Sequence, residues 1–144
     1  MKSRTVFVLF LLLSAIVPFS CAKEDEPALP YVKVDFYVNL LVYSDLQNGK
    51  SLIKEHEGYN RNGVIIVPTG YGPDAEFRAY DATCTRNTSE ETTAVKLDRN
   101  NATATCPKCK TVYNLLNGYA VDQTFHLQEY AVRRSGNNLY ITTY

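Results

Sequence analysis

Three of the four cysteines in this 144-residue chain fall in two short boxes. The first is Cys84-Thr85-Arg86; the second, after a polar interval, is Cys106-Pro107-Lys108-Cys109, with Tyr113 and Gly118 behind it. Cysteine does its chemistry as the thiolate, which is both a nucleophile and a soft metal ligand. Cys-Pro-Lys-Cys is half of a zinc ribbon, and Cys84 adds a third sulfur where structural zinc takes four ligands. Cys-Pro-x-Cys also occurs in disulfide oxidoreductases, where a helix N-terminus in a βαβ unit activates the first thiol. No helical period follows Cys109, so that use lacks its activating element. Arg86, Lys108 and Lys110 are basic neighbours of the kind that lower a thiol pKa.

His56 and His126 are the only histidines, and neither belongs to a box. In Phe125-His126-Leu127 the imidazole reads as a rim residue beside an apolar strand. No nucleophile, base and acid are spaced as a catalytic set, so the chain is expected to be non-enzymatic. Lys plus Arg and Asp plus Glu number 15 each, which leaves no electrostatic footprint for nucleic acid or an anionic membrane surface.

The fourth cysteine has a different setting. Lys2 and Arg4 precede an apolar run, Val6 to Val17, that is too short for a comfortable membrane span and reads as a signal peptide over residues 1–20. Ser20-Cys21 closes it as a lipoprotein cleavage box does, which makes Cys21 the expected lipidation site and the membrane anchor. Residues 21–30, with Lys23-Glu24-Asp25-Glu26 and then Pro27 and Pro30, read as a charged tether. The expected location is therefore the outer membrane of a bacterial envelope, with the acidic stretch after Cys21 pointing to the cell surface. In a bacterium the sequons at Asn87 and Asn101 are polar loop residues.

Residues 31–144 suffice for one domain with a modest core, and the pattern that must position the boxes is β. Val32, Val34, Phe36, Val38 and Leu40 alternate with more polar residues, as in a half-buried strand. Val64-Ile65-Ile66-Val67 is a continuous β-branched run, the mark of a strand covered on both faces. Asn48-Gly49 signals a tight turn. Phe77 to Tyr80 leads into the first box; Thr92 to Leu97 and Ala102 to Thr105, turned at 98–101, make a hairpin between the boxes. Thr111 to Asn114 follows the second box, and Leu127 to Arg133 with Leu139 to Thr143 forms a last hairpin around 135–138. Eleven tyrosines and no tryptophan suit cross-strand packing with hydroxyls kept wet.

This order of strand, box, hairpin, box, strand ending in glycine and terminal hairpin resembles the Rieske [2Fe-2S] domain across essentially all of residues 31–144. Glu76 to Thr83 is similar to the strand feeding a first cluster loop, Cys106 to Asn114 and Gly118 to the family's C-x-x-H-G segment, and Leu139-Tyr140-Ile141 to its final strand. The resemblance implies an all-β fold, a small antiparallel sandwich or barrel with a two-loop cluster-binding subdomain. A Rieske site holds one iron with two cysteines and the other with two histidines. Cys84 and Cys106 stand at the cysteine positions, but Arg86 and Cys109 stand at the histidine positions. Lys110 replaces the glycine that commonly follows, and Gly118-Tyr119-Ala120 lacks the Gly-Pro of the shielding loop.

The resemblance also implies that the two loops converge, which brings Cys84 near Cys106 or Cys109 and allows a disulfide worth about 3 kcal/mol in an oxidising compartment. The expectation is an exported lipoprotein whose Rieske-like domain has lost its cluster, binds no cofactor and serves as a structural or interaction module with an unidentified protein partner. The alternatives keep Cys84, Cys106 and Cys109 as ligands of a non-standard [2Fe-2S] cluster in an electron-transfer protein, or of zinc.

Overall fold

The computed structural model describes residues 28–70, 72, 75–86 and 92–144. The leader, Cys21, residues 22–27 of the tether and the sequon at Asn87 lie outside the described residues. Among those described, no helix is long and apolar enough to cross a membrane.

Among the described residues, nine antiparallel strands form two sheets. The larger has the order β1-β9-β8-β4-β3-β2, and the smaller β5-β6-β7. β1 (Asp35–Asn39), β2 (Leu52–Lys54), β3 (Val64–Pro68) and β4 (Phe77–Asp81) precede the small sheet, and β8 (Glu129–Ser135) and β9 (Asn138–Thr142) follow it. The small sheet, β5 (Lys96–Asp98), β6 (Thr103–Thr105) and β7 (Val112–Asn114), is thus an insertion between β4 and β8. It is the two-loop subdomain expected from the sequence. The fold is all-β and Rieske-like, as the order of boxes and strands implied.

β3 is buried along its whole length. Val64 and Ile66 face one cluster with Val38, Leu139 and Ile141, while Ile65 and Val67 face a second cluster with Tyr80, Tyr113 and Leu127. Covering both faces explains why the run does not alternate, and each such side chain contributes about 1.5–3 kcal/mol of burial. Cys84 and Cys106 belong to the second cluster, so the boxes are roots of the core.

Two local expectations are revised, and the tight turn at Asn48-Gly49 is borne out. The strand foreseen from Val32 begins its ladder only at Asp35, because its partner β9 ends at Thr142 and the last link is Thr143 N–H to the Val34 carbonyl. Thr92 to Leu97 does not form one strand: Ala94 pairs with Thr83, and only Lys96 onward joins β6. Asn48-Gly49 ends a 3-10 turn over Ser44–Asn48, with Gly49 as its left-handed cap at φ 78°. The chain already docks on the domain at Ala28, whose N–H donates to Gln128 Oε1, and at buried Leu29.

Candidate metal centre

The first box follows β4 directly. Its cysteine is fixed by two backbone bonds to the far side of the loop, Cys84 N–H to the Thr93 carbonyl at 2.9 Å and Val95 N–H to the Ala82 carbonyl at 2.7 Å. One residue upstream of Ala82, the buried Asp81 carboxylate accepts from Tyr59 N–H at 2.6 Å, Thr83 N–H at 2.8 Å and the Tyr130 hydroxyl at 2.7 Å. One carboxylate thereby ties a loop, the entry to the box and β8 together.

The second box is the turn of the β6–β7 hairpin. Cys106 N–H donates to the Thr111 carbonyl and Lys110 N–H to the Cys106 carbonyl. Closing so tight a turn puts Lys110 at φ 62°, the left-handed region where glycine is at ease. Lys110 occupies the position where the resemblance led us to expect glycine, and does so with strain.

The two loops converge. The Sγ atoms of Cys84, Cys106 and Cys109 all lie within 4.8 Å of one another, with Cys84 and Cys109 at 3.6 Å. All three are free thiols, so 3.6 Å is a contact and no disulfide is present. Cys84 and Cys106 are buried and Cys109 is at the rim.

Hydroxyls ring the sulfurs. Tyr113 Oη is 3.4 Å from Cys84 Sγ and accepts from Thr85 N–H at 3.3 Å; Thr111 Oγ1 is 3.1 Å from Cys109 Sγ. Burial pushes the Cys84 thiol up to about 11, against hydrogen bonds from Tyr113 and the Arg86 backbone that favour its thiolate. For Cys109 burial also raises the value, but the Thr111 hydroxyl and N–H, then the Cys106 and Cys84 thiols, outweigh it and bring it down to about 7. Burial, with Cys84 beside it, pushes the Tyr113 phenol up to about 12. Of the two shifted thiols, the one at the rim is therefore the more readily ionised.

Arg86 is turned away from this chemistry. Its Nη2 donates to the Asp122 carboxylate and, at 3.0 Å, to Thr124 Oγ1. Its guanidinium lies 5.0 Å over the Phe125 ring. The Thr124 hydroxyl and N–H, then Arg86, hold the Asp122 carboxyl below its ordinary value. His126 does not join the sulfurs: it packs on Tyr119, with ring centroids 5.6 Å apart, and its Nδ1 meets the Leu127 carbonyl at 3.1 Å. His56 is exposed at a loop residue with φ 66°.

Sequence reasoning assembled the three cysteines and Tyr113 but missed Asp81, Asp122, Thr124 and Phe125. Asp81 had a signal, a carboxylate between Tyr80 and Ala82 at the end of an apolar strand. Asp122 and Thr124 had none beyond the spacing of a polar turn.

Fold and paired loops define a Rieske-type domain. Among solved structures, the chain is similar to the cyanobacterial plasma membrane Rieske protein PetC3 from Synechocystis PCC 6803, with 23% identity, TM-score 0.52, and coverage of 77% of this chain and 98% of that one. It is also similar to the ferredoxin of carbazole 1,9a-dioxygenase from Nocardioides aromaticivorans IC177, with 13% identity, TM-score 0.47, and coverage of 79% and 100%. No protein-family model and no curated protein matches it. The likeness to the first of these, at 23% identity, speaks for the fold alone, so the chemistry of the site is taken from this chain's own residues.

Those residues do not form the two-cysteine, two-histidine set of a Rieske cluster. A guanidinium has no lone pair to give, and Arg86 is committed to Asp122. Among the described residues no histidine or carboxylate joins the three thiols.

Proposed function

We propose that this chain is a non-enzymatic envelope lipoprotein whose Rieske-like domain works without a Rieske cluster, as a structural or interaction module. The observation that carries the reading is the placement of Arg86 at a ligand position and in the grip of Asp122, Thr124 and Phe125. Electron transfer through a two-iron centre needs ligands on both irons, and the second iron would have Cys109 alone.

Export and anchoring rest on Lys2, Arg4, the apolar run to Val17 and Ser20-Cys21. The domain itself carries no charge excess that would bind a membrane, so the lipid on Cys21 supplies attachment at the outer membrane. When the site is oxidised without metal, the disulfide joins Cys84 to Cys109, the pair in contact at 3.6 Å.

Anaerobic expression with iron and sulfide tests the central reading. A colourless protein without stoichiometric iron is expected; a brown protein with two irons per chain overturns it. Changing Cys21 to Ser is expected to release the protein from the membrane fraction, and unchanged fractionation removes the anchor.

A further inference from the structure

We propose that Cys84, Cys106 and Cys109 bind a single zinc ion, with water in the fourth position. The inference deepens the reading of a cluster-free domain and rests on it.

The distances decide how many metal atoms the site holds. A tetrahedral ion with Zn–S bonds of about 2.3 Å sets its sulfurs about 3.8 Å apart. Cys84 and Cys109 meet at 3.6 Å, and no pair of the three exceeds 4.8 Å. By the alignment of the boxes these two residues would serve different irons of a two-iron cluster. Ligands of opposite irons are separated by the whole sulfide-bridged core, whereas these two are spaced as neighbours on one ion.

Donor chemistry decides which ion. Three sulfurs and no carboxylate disfavour magnesium, calcium and manganese, which take oxygen. On zinc, three thiolates leave a net charge of minus one; on monovalent copper they leave minus two, a heavier burden in a site where two ligands are fully buried. The surrounding hydrogen bonds suit one residual charge: Tyr113 reaches Cys84, and Thr111 reaches Cys109. Such outer contacts orient metal ligands and tune them.

Binding is a proton exchange without electron transfer. Each thiol that joins exchanges its S–H bond for an S–Zn bond and gives the proton to solvent, so three thiols release three protons and a thiolate already formed releases none. The sulfurs are presented by two independently braced loops, Cys84 by Thr93 and Cys106 by Thr111. The ion therefore cross-links the small sheet to β4. Cys109 at the rim leaves the fourth position on the solvent side.

The full-length protein in detergent, stripped with chelator and kept reduced, is titrated with zinc against a chromophoric competitor. One zinc per chain is expected, and cobalt in its place should give the intense visible bands and thiolate charge transfer of a tetrahedral sulfur-rich site. C109S, at the least buried ligand, should keep the far-ultraviolet circular dichroism of the parent and weaken zinc at least about a hundredfold. Absence of zinc binding at micromolar metal with three titratable thiols overturns the proposal, as does zinc affinity unmoved by C109S. Stoichiometric copper(I) without zinc overturns the choice of ion. A brown cluster after iron and sulfide would instead sink the cluster-free reading beneath it, whereas a colourless protein that ignores zinc sinks this inference alone.

Discussion

The guanidinium of Arg86 is paired with the carboxylate of Asp122, 36 residues away in sequence, and lies over the ring of Phe125. This pairing ties the first box to the turn after β7. It also fixes what the position can do, since a side chain with five donors and no acceptor orders a loop and cannot ligate.

If only the two ligand positions separate this domain from a Rieske centre, restoring both should restore the cluster. The double variant R86H/C109H is expected to take up two irons per chain on anaerobic reconstitution and to turn brown, while the parent remains colourless. Of the single variants, C109H should stay colourless, because Arg86 still leaves one ligand position unfilled, whereas R86H sets an imidazole beside Cys109, fills all four positions and should also take up two irons. Visible absorption with iron and sulfide analysis measures this. A colourless double variant of intact fold would place the obstacle outside the two residues.

The shifted thiols predict an order of reactivity in metal-free protein. Cys109, at about 7, should be alkylated by iodoacetamide with a midpoint near that pH, and Cys84, at about 11, should stay inert far into the alkaline range. Peptide mapping by mass spectrometry reads both. The same shifts fix the sign of the stability profile. Cys109 lies below its ordinary 9.0, so its thiolate adds stability that is complete above pH 9 and is lost as pH falls towards 7. Cys84 lies above 9.0, so its neutral thiol adds stability that is complete below pH 9 and is lost as pH climbs towards 11. Denaturant midpoints of the stripped protein should therefore peak, as far as these thiols control them, near pH 9.

How far the sequence could be read follows from which interactions leave a local mark. Alternation, a β-branched run and turn residues located eight of the strands, all but β2, because burial on one or two faces is written into neighbouring residues. Convergence of the boxes was implied only by the resemblance to the Rieske domain, which their order between strands carried. Pairing partners were not: Thr93 and Ala94 look like strand residues continuous with Val95 and Leu97, yet they bond to the first box and so break away from β5. The Arg86–Asp122 contact was likewise invisible, since an exposed ion pair between distant loops depends on how the loops are folded back.

Asp81 is predicted to be the polar residue on which the first box most depends. D81A strands three donors, Tyr59 N–H, Thr83 N–H and Tyr130 Oη, and should cost about 4 kcal/mol; D81N keeps the shape but loses the charge and should cost about 1–3 kcal/mol. Y130F removes one bond and should cost about 1–2 kcal/mol. Burial first, then the Asp81 hydrogen bond and charge, raise the Tyr130 phenol above its ordinary 10.0. Its contribution is therefore complete below pH 10 and lost as pH rises beyond it. Urea unfolding of the three variants measures the series, and a D81A as stable as the parent would mean that the carboxylate does not brace the box.

Two glycines of positive φ separate backbone strain from steric clash. Gly118, at φ 79°, closes the turn after β7, and a Cβ there would come within 2.6 Å of Tyr80 Cε1. The ring has little room to yield: Tyr80 is 1% exposed, and its hydroxyl accepts from Arg78 Nη1 at 3.2 Å. Gly136, at φ 58° between β8 and β9, would place its Cβ in open space. G136A should therefore cost only the left-handed strain, about 1 kcal/mol. G118A should cost that plus overpacking of the core beside Tyr113 and Leu127, about 2–4 kcal/mol in total. Because Gly118 N–H bonds to the Asn114 carbonyl at the end of β7, the displacement should also reach the second cysteine box, seen as faster alkylation of Cys109. Equal losses from the two substitutions would show that φ alone sets the cost and that the contact with Tyr80 relaxes freely.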